Sequence, residues 1–182
     1  MVDTHFHLDH IDAPSSHVVS RARKAGVDRM LAIGMTGDSC RHALAAAEEH
    51  DEIYVSVGRH PHESEGFDDA GLEELRELSA HPKARAVGEA GLDYKRDYAP
   101  REDQRRSFVA QIELEKSLGR PLVVHTREAA DDTVALLDEE ITPAAIAGLV
   151  LILIGVSLAS GERQGEPALG EAAVERAGVP RA

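Results

Sequence analysis

The chain has 182 residues, enough for one domain of ordinary size with a sizeable core. Its 33 acidic and 20 basic residues give a formal net charge of −13, which argues against charge-driven binding of nucleic acid or anionic membranes. Bound metal ions can still bring positive charge to an anionic substrate. A single cysteine, Cys40, excludes an internal disulfide, and with an N-terminus that lacks a signal peptide it predicts a cytoplasmic location.

Up to about residue 138, short apolar runs alternate with longer amphipathic stretches. The apolar runs predict buried strands at Met1–His7, Arg29–Ile33, Ile53–Val57, Ala84–Gly88 and Pro121–His125. Helices are predicted at about Ser15–Ala25, Asp38–His50, Asp68–Ala80, Arg101–Leu118 and Glu128–Glu139. Strict alternation of strand and helix predicts right-handed βαβ crossovers, a parallel sheet and an α/β fold.

Metal-binding residue types recur where the predicted strands end. They are His5, His7, His60, His62, Glu89 and His125. Parallel α/β folds gather their catalytic groups at the C-terminal ends of strands. Side chains at i and i+2 of a strand share a face, so His5 and His7 can aim two imidazoles at one ion. Unrelated surface histidines are the alternative in a chain with ten of them, but the shared placement favours a metal site.

Residues 139–182 differ in composition from the rest of the chain. Ile141 to Gly161 contains no charged residue, and 141–182 contain no His or Asp. An uncharged run of this length reaches the span of about 20 residues that crosses a membrane. Pro143 and the glycines inside it favour a buried or irregular segment instead, so no stable membrane association is expected. We predict a catalytic part over 1–138 and a divergent apolar, Ala/Gly-rich tail over 139–182.

Four segments in order resemble the TatD family of metal-dependent hydrolases, a branch of the amidohydrolase superfamily. They are Asp3–Asp9, Gly58–His62, Gly88–Tyr94 and Pro121–Ala129, together with Gln104 and Gln111 in the helix before the fifth strand. The resemblance implies a (β/α)8 TIM-type barrel, of which the chain contains about five βα units. It also implies two divalent ions (Zn, Mg or Mn) and hydrolysis of phosphodiester or related ester bonds, typically as a deoxyribonuclease acting on DNA.

The resemblance also implies roles for individual residues. His5 and His7 resemble ligands of one ion, Glu89 a carboxylate that bridges both ions, and His125 a ligand of the second. The substrate-facing and catalytic pair is His60 and His62, and further substrate contacts are expected from Asp93, Tyr94 and Arg127. Two bridged ions can lower the pKa of a water molecule and stabilise both the attacking and the leaving oxygen.

The chain departs from the family pattern after the fifth strand. The family has a further His on strand six and an Asp at strand eight, and residues 141–182 contain neither residue type. A complete barrel typically needs about 250 residues. We therefore hypothesise a shifted or broken reading frame near Glu139–Ile141, with weak metal binding, low stability and little or no hydrolysis. Translation of the nucleotide sequence in the other two frames tests this, since the missing motifs should appear there.

Two alternatives to the hydrolase stay open. Metallophosphoesterases of the polymerase-and-histidinol-phosphatase type also open with His-x-His, although the Gly88–Tyr94 and His125–Ala129 motifs argue against them. The other alternative is that the chain is a degenerate, non-catalytic binding module whose apolar tail docks on a partner or membrane. A basic stretch after Glu89 also has two interpretations, a contact for a nucleic-acid backbone or a solvated helix face. It comprises Lys95, Arg96, Arg101, Arg105 and Arg106, with Asp97, Glu102 and Asp103 among them.

Overall fold

The structure is a computed structural model that describes residues 1–137. The strands are β1 (Val2–Phe6), β2 (Arg29–Ile33), β3 (Ile53–Val57), β4 (Ala84–Asp93) and β5 (Leu122–Arg127). The helices are α1 (Ser15–Lys24), α2 (Gly37–Glu49), α3 (Asp69–Ser79), α4 (Arg101–Leu118) and α5 (Ala130–Leu137). The predicted tail over 139–182, its membrane alternative and the domain boundary at 138 lie outside the described residues. None of the described helices is long and apolar enough to cross a membrane.

The five strands form one parallel sheet in the order β1-β2-β3-β4-β5. Each strand lies beside the next one along the chain, and a helix separates each pair, which is the connectivity of a (β/α)8 barrel. The C-terminal ends of all five strands therefore meet at one edge of the sheet. That edge carries the residues predicted to form the site.

The main core lies between the helices and one face of the sheet. It is built from small and branched aliphatic side chains, and Ile53, Val55 and Val57 of β3 are fully buried within it. A smaller cluster packs β4 against α4 through Leu92, Phe108 and neighbours. Residues on the other face of the sheet are more open, since Leu31 and its partner Tyr54 are only partly buried.

Two strands carry an irregularity where they approach the site. In β1 the pairing with β2 shifts between Asp3 and Phe6, and in β4 the pairing with β5 shifts between Val87 and Ala90. Extra residues of this kind bend a strand and re-aim its side chains. Strand β4 is also longer than predicted, because it continues past Gly88 through Asp93. Glu89 therefore lies within the strand at its irregularity, where the sequence placed it just after the strand.

Candidate metal centre

Three groups of potential metal ligands lie at the C-terminal edge of the described sheet. Within each group the nitrogen and oxygen donor atoms are all within 4.8 Å of one another. The groups are His5–His7–Glu89, His60–Glu89–His125 and His62–Asp93–His125. They come from β1 and the residue after it, the turn after β3, β4 and β5, so four of the five βα units supply them.

The first group joins His5 of β1 and His7, directly after β1, to the carboxylate of Glu89 on β4. The Nε2 atoms of His5 and His7 lie 3.2 Å apart, and they lie 3.5 and 3.7 Å from Glu89 Oε2. Burial lowers the pKa of His7 against the opposing charge of Glu89. A lowered pKa keeps the imidazole neutral, which is the form that binds a metal.

The second group uses the other oxygen of the same carboxylate. His125 Nδ1 lies 3.1 Å from Glu89 Oε1 and 3.2 Å from His60 Nε2. Burial, followed by the charge of His125, lowers the pKa of His60 to about 4, so this imidazole is neutral at ordinary pH. Glu89 therefore turns one oxygen toward each of two histidine groups. That is the arrangement of a carboxylate that bridges two ions.

Electrostatics favour the ionised form of Glu89. Burial alone would raise the pKa of its carboxyl group, but the hydrogen bond from His125 and the charges of His60 and His5 outweigh burial and lower it. In return, the hydrogen bond to Glu89 raises the pKa of His125. A divalent cation bound by this pair would compete with the proton that the hydrogen bond to Glu89 favours on His125.

The third group centres on a carboxylate at the end of β4. Asp93 is fully buried, and its Oδ2 accepts from His62 Nε2 at 2.6 Å and from His125 Nε2 at 3.3 Å. Its Oδ1 accepts from the backbone N–H groups of Lys95 and Arg96, both at 3.0 Å. Burial acts to raise the pKa of Asp93, but the hydrogen bonds from the Arg96 backbone and from His62 outweigh it and hold the pKa well below its usual range.

These contacts favour an orienting role for Asp93. A histidine that binds a metal through one nitrogen usually donates its other N–H to a carboxylate. His125 presents Nδ1 to Glu89 and Nε2 to Asp93, so Asp93 fixes the ring that faces the second group. The substrate contact that the sequence predicted for Asp93 stays a prediction.

Two buried glutamines of α4 hold the loops that carry the site. Gln111 accepts from Arg59 N at 2.9 Å and donates to Arg59 O at 3.0 Å, directly before His60. Gln104 accepts from Asp93 N at 2.8 Å and donates to Ala99 O at 2.9 Å. The sequence pointed to both glutamines through the family resemblance but assigned them no function. Each glutamine side chain forms hydrogen bonds with backbone N–H and C=O groups that would otherwise need another partner.

The remaining predicted substrate residues lie at the same edge of the sheet. Tyr94 is partly buried, and its hydroxyl donates to Asp132 Oδ2 at 2.6 Å. Arg127 is exposed at the end of β5, and its carbonyl accepts from Tyr94 N. Cys40 is buried, which raises the pKa of its thiol to about 11, and the described part of the chain gives it no catalytic partner.

The basic stretch after Glu89 is largely neutralised by ion pairs. The pairs are Lys95–Glu128, Arg101–Asp97, Arg105–Asp132 and Arg106–Asp103. In residues 1–137, Arg96 is the one member of the stretch with no carboxylate within 4.0 Å. These pairs favour the interpretation as a solvated helix face for four of the five residues.

The donor chemistry fits divalent ions. Each of the two groups that share Glu89 offers two imidazole nitrogens and one carboxylate oxygen. Zinc binds this mixture of ligands readily, and manganese accepts it. Three protein ligands leave open positions for water or substrate, as catalytic sites require.

Sequence reasoning missed two features of this site. The family resemblance gave His60 and His62 a substrate-facing and catalytic role and Asp93 a substrate contact, and it did not assign these three residues to an ion. It also did not single out Tyr98, whose ring centroid lies 4.8 Å from that of His62. The spacing of Tyr98 five residues after Asp93 gives no pattern that would have revealed this contact.

Comparisons with known proteins agree with the fold and the motifs. The chain is 37% identical over 142 residues to the uncharacterized metal-dependent hydrolase YabD of Bacillus subtilis, covering 77% of this chain and 56% of that protein. It is 40% identical over 121 residues to the 3′-5′ ssDNA/RNA exonuclease TatD of Musicola paradisiaca, covering 66% and 46%. The chain thus spans about half the length of the curated relatives it matches.

A solved structure and a family model complete the comparison. The crystal structure of YJJV, a TatD homologue from Escherichia coli K12, matches with a TM-score of 0.67 at 29% identity, covering 74% of this chain and 54% of that one. This likeness confirms the predicted incomplete TIM-type barrel. The model for TatD related DNase matches residues 2–151, somewhat past the predicted end of the likeness at 138. The chain therefore belongs to the TatD-related DNase family of metal-dependent hydrolases.

Proposed function

We propose that this chain binds two divalent ions around Glu89 and hydrolyses phosphodiester bonds in nucleic acid. One observation carries the proposal: the two oxygens of one buried carboxylate face two separate histidine groups. His5 and His7 belong to one ion, and His125 with His60 to the other. Relatives named as single-strand exonuclease and as metal-dependent hydrolases support the reaction class.

The chain's own residues then divide the work of catalysis. Bound ions supply Lewis acidity toward the phosphoryl group and make a water molecule more acidic. His62 donates to the buried Asp93, and an imidazole held in this way is suited to carry a proton to the leaving oxygen. Arg127 is exposed at the edge and suited to hold a phosphate, while Tyr94 braces the loop through Asp132.

The proposed centre has few protein ligands for each ion. Residues 139–182 contain no His or Asp, so glutamate is the only strong ligand type that this segment can add. We therefore expect weak metal binding and slow hydrolysis. DNA is the expected substrate.

Calorimetric titration with Zn²⁺, Mn²⁺ and Mg²⁺ tests the proposal. We expect two ions per chain, loss of one with His5→Ala and weakening of both with Glu89→Gln. His17→Ala, an exposed histidine on α1, is the matched control and should bind as the wild type does. A chain that binds no metal would support the degenerate binding module instead. Equal binding by Glu89→Gln and wild type would refute the bridging role.

A nuclease assay under the same conditions tests the reaction itself. Metal-dependent shortening of a labelled oligonucleotide by the wild type should disappear with Glu89→Gln and persist with His17→Ala. Activity that survives Glu89→Gln would show that the hydrolysis comes from another site or from a contaminant.

A further inference from the structure

One exposed aromatic side chain lies at the edge of the candidate metal centre. Tyr98 is 65% exposed, although the chain has only three tyrosines, three phenylalanines and no tryptophan. The other two tyrosines are partly buried. The Tyr98 side chain is thus not packed into the core of the described residues, and its ring is available to a ligand.

The ring is held next to the site. Its centroid lies 4.8 Å from that of His62 with an interplanar angle of 63°, and His62 is itself fixed by Asp93. The next residue, Ala99, is buried, and its carbonyl accepts from Gln104. The loop backbone is therefore anchored on the side of α4, and binding to Tyr98 requires little further ordering.

The guanidinium of Arg96 lies beside the same ring. The Arg96 guanidinium carbon is 5.9 Å from the Tyr98 ring centroid, and the Arg96 backbone N–H donates to Asp93. Among residues 1–137 this side chain has no carboxylate within 4.0 Å, whereas its basic neighbours in the stretch are paired. In a chain of net charge −13, a cation at the candidate site that residues 1–137 leave without a carboxylate partner is a specific feature.

We propose that Tyr98 is a stacking site for a nucleobase of a single-stranded nucleic acid, with Arg96 holding an adjacent phosphate. The inference rests on the proposed function and adds how its substrate is recognised. Proteins bind single strands by stacking bases on aromatic side chains beside cationic groups. In a duplex the base faces are already stacked on their neighbours. Stacking on Tyr98 would involve the base, which DNA and RNA both present. The experiment therefore compares strands with deoxyribose and with ribose.

Binding of short single strands that contain 2-aminopurine tests the proposal through quenching of its fluorescence. The strands carry phosphorothioate linkages to slow cleavage and are titrated in Zn²⁺ and, separately, in EDTA. Matched strands with deoxyribose and ribose are compared, together with a strand that has an abasic site in place of one base. Removal of a stacking side chain weakens binding by about 5- to 150-fold.

The expected result depends on the base. Tyr98→Ala should weaken the strands with all bases present and leave the strand with the abasic site nearly unchanged, while Tyr98→Phe should bind as the wild type does. Arg96→Ala should weaken every strand and reduce the dependence on salt, more than Arg21→Ala, which removes an equal charge on α1. A difference between the deoxyribose and ribose strands would identify the preferred nucleic acid.

The proposal and the hydrolase function can fail separately. Equal affinity of Tyr98→Ala and wild type, or no quenching by the wild type, overturns the stacking site. Hydrolysis of unmodified strands that is indifferent to Tyr98→Ala leaves the hydrolase function standing and overturns the stacking site. Base-dependent binding without hydrolysis supports the stacking site and overturns the hydrolase function.

Discussion

Replacement of Gln111 by methionine tests whether a buried amide holds the loop before His60. Methionine has nearly the same length and helix propensity, so the change removes hydrogen bonds with little loss of volume. The wild-type amide accepts from Arg59 N at 2.9 Å and donates to Arg59 O at 3.0 Å. An unpaired buried polar group costs about 1–3 kcal/mol. Arg59 is only partly buried, so two such groups should lower the free energy of unfolding by about 2–4 kcal/mol.

Urea unfolding of the wild type and of Gln111→Met, followed by circular dichroism in EDTA, measures this difference in the free energy of unfolding. Ile112→Val is the matched control, because it alters the next buried residue of α4 and should cost about 0.5–1.5 kcal/mol. A second measurement, Zn²⁺ titration, should show weaker binding for Gln111→Met and unchanged binding for Ile112→Val. If Gln111→Met loses no more stability than the control and binds Zn²⁺ normally, the amide does not hold the loop.

Two further substitutions test the backbone and the buried charge at the site. Gly91→Ala places a Cβ 1.9 Å from the carbonyl oxygen of His125 at a φ of +150°, so we expect a loss of about 2–5 kcal/mol in thermal or urea unfolding. Gly26→Ala, which also has positive φ but meets nothing within 4 Å, should lose clearly less, and equal losses would refute the clash. Asp93→Asn should cost about 2–3 kcal/mol in EDTA at pH 7, since the single oxygen of Asn cannot accept both from His62 and from the Lys95 and Arg96 backbone N–H groups. The folded-state pKa of Asp93 is lowered, so its contribution is present above the unfolded pKa of about 3.9 and is lost as the pH falls through the lower folded value. The difference between the proteins should therefore shrink below about pH 4, and a constant difference would contradict the charge argument.

The order of the elements was predictable because periodicity reports burial. Short apolar runs gave five strands, and amphipathic stretches gave the helices between them, each within a few residues of its observed bounds. The end of β4 was missed, since the run is broken by Glu89 and glycines. A strand that carries a polar side chain at an irregularity loses the apolar pattern from which strands are recognised.

The residues of the candidate site were predictable as a set, but their contacts were not. His5, Glu89 and His125 were predicted at the C-terminal ends of parallel strands. Such ends meet at one edge of the sheet, so these residues come together there for any side-chain geometry. The particular nitrogen or oxygen that faces each neighbour depends on rotamers and on the irregularity of β4. The burial of Asp93 likewise depends on the loop after β4, which Gln104 holds through hydrogen bonds to the backbone of Asp93 and Ala99.

The described strands already determine how the donors are arranged relative to one another. Glu89 lies on β4 and His125 on the adjacent β5, while His60 follows β3 on the other side of β4. Strand β2 supplies no donor, but Met35 after it accepts from the backbone N–H of His60 at 3.0 Å. Neighbouring parallel strands thus hold His60 and His125 around Glu89 through local pairing, whereas His5 and His7 approach Glu89 from the end of β1, three strands away in the sheet order. Any ligand from residues 139–182 would add affinity for the ions, whereas the bridging geometry itself depends on residues within 1–137.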